Sequence, residues 1–292
     1  MKRHLLPLTL ICVLAAGTAA AHEPIGEGAE DLPIFDAHVH YKAEAWDPYP
    51  PGAVIELMDK SGVAMALVSS TPDEGTVKLY EYAPNRIVPE VRPYHEGWGQ
   101  SNWTGYDGMF DYIKGRMDKY PHVGIGEFHL HDIEKADETL LRRIAELAAE
   151  RGALLHVHSG PDPVEFFYRV NPDLTIIWAH AGMSAPPNVI GPLMDKHEKL
   201  YADLSYREWE ILDGDEGPLN PAWEALLTRH ADRFMVGTDT WVNEQWAQYD
   251  RLVAMNRAWL ARFPRDLAEK FAYRNAERLF GREVSRDLIG TR

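Results

Sequence analysis

Eight short apolar runs, each the length of a single strand, alternate along this chain with longer amphipathic stretches. The runs lie at 34–40, 65–70, 87–92, 123–129, 153–158, 174–180, 200–205 and 234–239. Helical periodicity fills the intervals, over 53–61, 75–82, 106–119, 138–151, 163–170, 188–197, 221–230 and 245–262, and a final helix is expected over 265–280. The segment 138–151 is the clearest: Leu140, Leu141, Ile144, Leu147 and Ala148 form one stripe, Asp137 is placed to cap its start, and Gly152 stops it. Strands separated by helices pair in parallel, because each helix carries the chain back to the same end of the sheet. Eight such units in 292 residues predict an α/β fold, one closed (β/α)8 barrel with an extra C-terminal helix spanning 33–292, rather than two domains. No internal repeat and no low-complexity tract interrupts the pattern.

The first residues follow a different rule. Lys2, Arg3 and His4 precede an apolar stretch from Leu5 to Leu14, which ends in the small residues Ala15 to Ala21. This is the pattern of a secretory signal peptide over 1–21, with cleavage expected after Ala21. The apolar stretch is shorter than the roughly 20 residues of a membrane helix, so no membrane attachment is expected after cleavage. The single cysteine, Cys12, lies within it, which leaves the mature chain without disulfides or thiolate ligands. A periplasmic or secreted location fits. Residues 22–32, rich in Gly and Glu, read as a flexible leader. A net charge of −15 disfavours nucleic acid and anionic membranes as partners and leaves a small-molecule substrate as the expected ligand.

In a barrel of this kind the site lies at the carboxyl ends of the strands, and this is where the polar residues recur. The first run ends in Phe35-Asp36-Ala37-His38-Val39-His40, the fourth carries Glu127, the fifth His156 and His158, the sixth ends in His180 and the eighth in Asp239. Residues two apart on a strand face the same side, so His38 and His40 can share one ion. His156 and His158 also share a face. His158 is the preferred ligand, being nearer the strand's end. Arg92 and Arg207, at or just past strand ends, offer guanidinium groups to a substrate carboxylate. Trp241, close after Asp239, is placed to wall the pocket. The polar-aromatic loop 92–108, following the third strand, is the candidate lid or substrate wall.

Together with Ala179-His180-Ala181-Gly182, Gly237-Thr238-Asp239 and the closing Tyr273-Arg274-Asn275-Ala276-Glu277-Arg278-Leu279-Phe280-Gly281, these motifs resemble the amidohydrolase superfamily. Within it the likeness is to the amidohydrolase-related group that includes aminocarboxymuconate semialdehyde decarboxylase, and it extends over nearly the whole mature chain. The resemblance implies that His38, His40, a strand-five histidine and Asp239 bind a divalent metal, with His180 beside it. Imidazole and carboxylate ligands suit Zn²⁺. Glu127 is expected either to bridge a second metal or to hold a ligand histidine. Asp239 and His180 are the expected catalytic pair, accepting a water's proton and polarising a carbonyl.

Two reactions suit such a centre: hydrolysis of an ester, lactone or amide, and decarboxylation or hydration of a small carboxylate. A third possibility is a secreted binding protein of the same fold, against which stands the completeness of the ligand set. An export signal favours hydrolysis of an external substrate.

Overall fold

The computed structural model describes residues 29–214 and 217–286. Eight parallel strands pair in sequence order: β1 (Ile34–Val39), β2 (Val63–Ser69), β3 (Ile87–Val91), β4 (Gly124–His129), β5 (Leu154–His158), β6 (Ile176–Trp178), β7 (Leu200–Asp203) and β8 (Phe234–Met235). Every residue of β1, β2 and β3 is buried, as expected where one face packs the barrel interior and the other meets the helices. The connecting helices include Pro51–Ser61, Glu74–Tyr82, Met109–Lys119, Glu138–Arg151, Pro161–Val170, Pro187–Lys196 and Pro221–Arg229. Asp137 caps Glu138–Arg151 by accepting from the Thr139 and Leu140 amides, and Gly152 ends it at φ 61°. The expected helix over 245–262 is two, Asn243–Trp246 and Tyr249–Leu260. The C-terminal helix runs from Arg265 to Phe280 through one wide turn at Lys270–Arg274.

The barrel closes beyond the regular part of β8. Ala37 N–H donates to Val236 C=O (2.9 Å), Asp239 N–H to His38 C=O (2.8 Å) and His40 N–H to Thr240 C=O (2.8 Å). One buried carboxylate staples this seam. Asp36 accepts from the Thr238 amide (2.9 Å), the Thr238 hydroxyl (2.7 Å), the Tyr249 hydroxyl (2.8 Å) and the His38 amide (3.2 Å).

The expected signal peptide and residues 22–28 of the expected leader lie outside the described residues. Residues 29–32 are not loose: Ala29 and Leu32 are buried, and both their carbonyls accept from the Arg257 guanidinium. Packing against the barrel therefore already holds at Ala29, ahead of the Pro33 expected. Among the described residues no helix is long and apolar enough to cross a membrane.

Candidate active site

The ends of β1, β4, β5, β6 and β8 bring their histidines and carboxylates to one place. The Nε2 atoms of His38 and His40 lie 3.1 Å apart. Asp239 Oδ1 is 3.4 Å from the first and 3.1 Å from the second, and Glu127 Oε2 is 3.6 and 3.3 Å from them. The other Glu127 oxygen faces a different pair, His158 Nδ1 at 2.6 Å and His180 Nε2 at 3.7 Å. His180 Nε2 is also 3.9 Å from Asp239 Oδ2, is fully buried, and has no hydrogen-bond partner.

Partners on the far nitrogens fix how these rings point. His40 Nδ1 meets the Ser69 carbonyl, His38 Nδ1 is 3.3 Å from Asp203 Oδ2, and His180 Nδ1 is 2.8 Å from the Ser205 hydroxyl and 3.2 Å from the Ser205 carbonyl. The Ser205 hydroxyl donates its proton to Asp203, so it accepts from His180 Nδ1–H. In their neutral forms all three rings therefore hold the proton on Nδ1 and present a lone pair at Nε2. Three converging lone pairs beside two carboxylates, one of those nitrogens buried and unpartnered, are a donor set that fits a divalent metal.

Electrostatics agree with the geometry. Burial disfavours charge on His38, yet the carboxylates of Asp239, Asp203 and Glu127 more than offset it and hold its pKa well above the usual imidazole value. Burial likewise raises Glu127 and Asp239, but Arg92 and His38 hold Glu127 well below the carboxylate range, and His38 and His40 hold Asp239 below it. The place favours positive charge.

His156 does not line the cavity. Its Nδ1 is 3.1 Å from Glu90 Oε2 and its Nε2 3.3 Å from Asp203 Oδ2, so both nitrogens are already engaged, and burial notwithstanding these carboxylates raise its pKa to about 9. His158 lines the cavity, stacked on His129 at 4.0 Å. The backbone allows this arrangement only with glycine at 126: at φ 151°, a Cβ there would lie 2.4 Å from the His156 carbonyl oxygen. His180 (φ 54°) and Asp239 (φ 45°) are themselves left-handed, an uncommon conformation for side-chain-bearing residues. The turn at Ala179–Ala181 ends β6 sooner than expected and lifts His180 out of the strand ladder.

Above the histidines opens a cavity of about 360 Å³, lined in part by Lys42, Arg92, Gln100, His131, Tyr206 and Trp241. Gln100 belongs to the loop after β3, as expected of a substrate wall, while Trp103 of the same loop is buried and donates to the His129 carbonyl (2.8 Å). Arg92 reaches the cavity, but its guanidinium is taken up by Glu127, through the side chain at 2.6 Å and the backbone carbonyl at 2.9 Å. Arg207 is a correction. It is fully buried, donates to the Ala185 carbonyl (2.7 Å), pairs with Glu210 (3.0 Å) and lies over the Trp223 ring, so its charge is spent inside the fold and it does not line the cavity. Sequence reasoning missed Asp203, Ser205 and Lys42. Asp203 carries the signal used elsewhere, an acidic residue at a strand's carboxyl end.

Among solved structures, a TatD homologue from Escherichia coli has a TM-score of 0.60 at 15% identity, covering 87% of this chain and 100% of its own. A Pseudomonas putida protein provisionally described as a 2-pyrone-4,6-dicarboxylic acid hydrolase reaches 0.59 at 16%, covering 87% and 99%. A dihydroorotase from Campylobacter jejuni reaches 0.53 at 12%, covering 87% and 84%. At such identities the likeness is one of fold. No curated protein matches. The model of the Amidohydrolase family matches residues 35–282, nearly all of the barrel. The chain thus belongs to the amidohydrolase family and is an enzyme of that type.

Proposed function

We propose that this protein is an exported hydrolase that attacks an ester, lactone or amide carbonyl of a small molecule with the help of a bound Zn²⁺. The observation that carries this reading is the convergence of the His38, His40 and His180 lone pairs on the carboxylates of Asp239 and Glu127. His38, His40 and Asp239 would hold the metal with His158 as the strand-five ligand, its Nδ1 already engaged by Glu127 at 2.6 Å, while His180, whose Nε2 also faces the cluster, is kept for the reaction. When bound, the metal supplies Lewis acidity, which acidifies a water and polarises a carbonyl.

The protein's own groups then move the proton. Asp239 is held ionised, and its Oδ2, the oxygen turned away from the His38 and His40 pair, is placed to accept it. His180, with its Nδ1 proton given to Ser205, presents a lone pair; it stabilises a developing oxyanion only after taking up a proton at Nε2. Arg92 neutralises Glu127 and keeps it from repelling an anionic transition state.

Elemental analysis of the purified, metal-reconstituted protein tests the reading, with His38→Ala alongside and a screen of lactones, esters and amides. One metal per chain, lost in the variant, is expected. Two would make Glu127 a bridge between metals, since its oxygens face different histidine pairs. No metal at all would overturn the proposal.

A further inference from the structure

We infer that Lys42 is the substrate-binding cation of this site and that the substrate carries an anionic group, a carboxylate in the simplest case, apart from the carbonyl that reacts. The inference deepens the hydrolase reading and rests on it for the reaction, though not for the binding.

The cavity holds two cations, and they differ in what they face. Arg92 is charge-paired with Glu127 through Nη2 and bonded to its carbonyl through Nε, its Nη1 lies 3.3 Å from His40 Nδ1, and the guanidinium lies over Tyr94 at 4.6 Å. Lys42 makes no ion pair among the described residues. Its ammonium lies 4.1 Å from the centre of the Trp241 ring, a contact that steadies a cation without neutralising it. The two residues come from adjacent loops, those after β1 and β8, which meet where the seam hydrogen bond from His40 to Thr240 closes the barrel. Trp241 is anchored in turn, its amide donating to Gln245 Oε1 at 2.9 Å.

The position has a selective consequence. A protein of net charge −15 repels anions from a distance, so an anionic substrate needs a local cation to be held. Lys42 is half-buried at the cavity wall, where a charge pair is worth more than one in open water. Its strongly hydrated ammonium also accepts a carboxylate from many directions, which suits a flexible group at a pocket mouth. Tyr206, on the same wall, has its hydroxyl engaged with Gln245 at 2.7 Å and the Asp239 carbonyl, and does not compete for the anion.

Two measurements on the metal-loaded protein test this. Calorimetric titration with succinate is expected to show binding to the wild type, weakened ten-fold or more in Lys42→Met and largely restored in Lys42→Arg. Equal affinities, or no binding of succinate to the wild type, would overturn the inference. Separately, kcat/KM is compared for 4-nitrophenyl hemisuccinate and 4-nitrophenyl butyrate. Lys42→Met is expected to lower the ratio of the first to the second by about ten-fold, whereas a lysine that only steadied the Trp241 loop would affect both esters alike and leave the ratio unchanged. Lys42-dependent succinate binding without hydrolysis of either ester would count against the hydrolase reading alone.

Discussion

Asp239, proposed above as the base, combines that place in the cluster with a backbone that most residues avoid. At φ 45° an ordinary L-residue costs about 1–2 kcal/mol, but Asn, like Asp, visits this region at little cost. Asp239→Asn therefore removes the charge while keeping the turn, whereas Asp239→Ala would mix lost chemistry with strain. The Asn variant is expected to keep the circular dichroism spectrum of the wild type and to lose about 10²–10⁴ in kcat, the usual contribution of a positioned base. Turnover within a factor of ten of wild type would remove Asp239 from the role assigned to it. Arg207 illustrates the reverse case at this scale. Its place just past a strand end suggested a substrate contact, but residue type says nothing of whether a long side chain turns outward or, as here, inward onto Trp223 and Ala185.

Among the elements, the β1–β8 seam combines three backbone bonds with one buried side chain that gathers four more. Asp36 accepts four hydrogen bonds there, three of them from Thr238 and Tyr249, and burial pushes its carboxyl up to about 6. Replacing it by Ala strands buried donors, each costing about 1–3 kcal/mol. Asp36→Ala is thus expected to lose at least about 3 kcal/mol in urea denaturation. Asp36→Asn, which keeps one acceptor while the two hydroxyls can turn to accept from its amide, should lose less. A loss below about 1 kcal/mol in Asp36→Ala would mean that the seam is held by its backbone bonds alone. The same seam shows what periodicity can and cannot tell. All eight strands were legible because each is a short buried run with helical periodicity on either side. The end of β6 was not, since pairing stops at Trp178 where the left-handed His180 turns the chain aside, nor was that of β8, whose regular ladder stops at Met235 while irregular bonds to β1 carry on as far as Thr240. The histidines and carboxylates that the barrel brings into one cluster were legible from their recurrence at strand ends. Of the residues that orient them, Asp203 carried the same strand-end signal at the close of β7, whereas Ser205 just beyond it became evident only through the partners it holds.

For the whole molecule, acidity and burial meet at Glu208. It lies outside the metal-facing cluster, is only 8% exposed, has one oxygen without a partner, and its other oxygen receives only a long contact from Asn256 at 3.4 Å. Burial raises its pKa from 4.5 to about 7, with the neighbouring Asp203 charge acting in the same direction. Below pH 4.5 the group is protonated in both folded and unfolded chains and contributes no pH dependence. Between 4.5 and about 7 the unfolded chain releases the proton while the folded one keeps it, so stability falls as pH rises. At 1.4 kcal/mol per pKa unit the full loss is about 3 kcal/mol. Glu208→Gln, which cannot ionise, is expected to flatten this part of the stability curve, so that thermal melting points of the variant and the wild type, similar near pH 4.5, diverge in favour of the variant by pH 7.5. Parallel curves across that range would show that the folded protein accommodates the Glu208 charge without the penalty its burial implies.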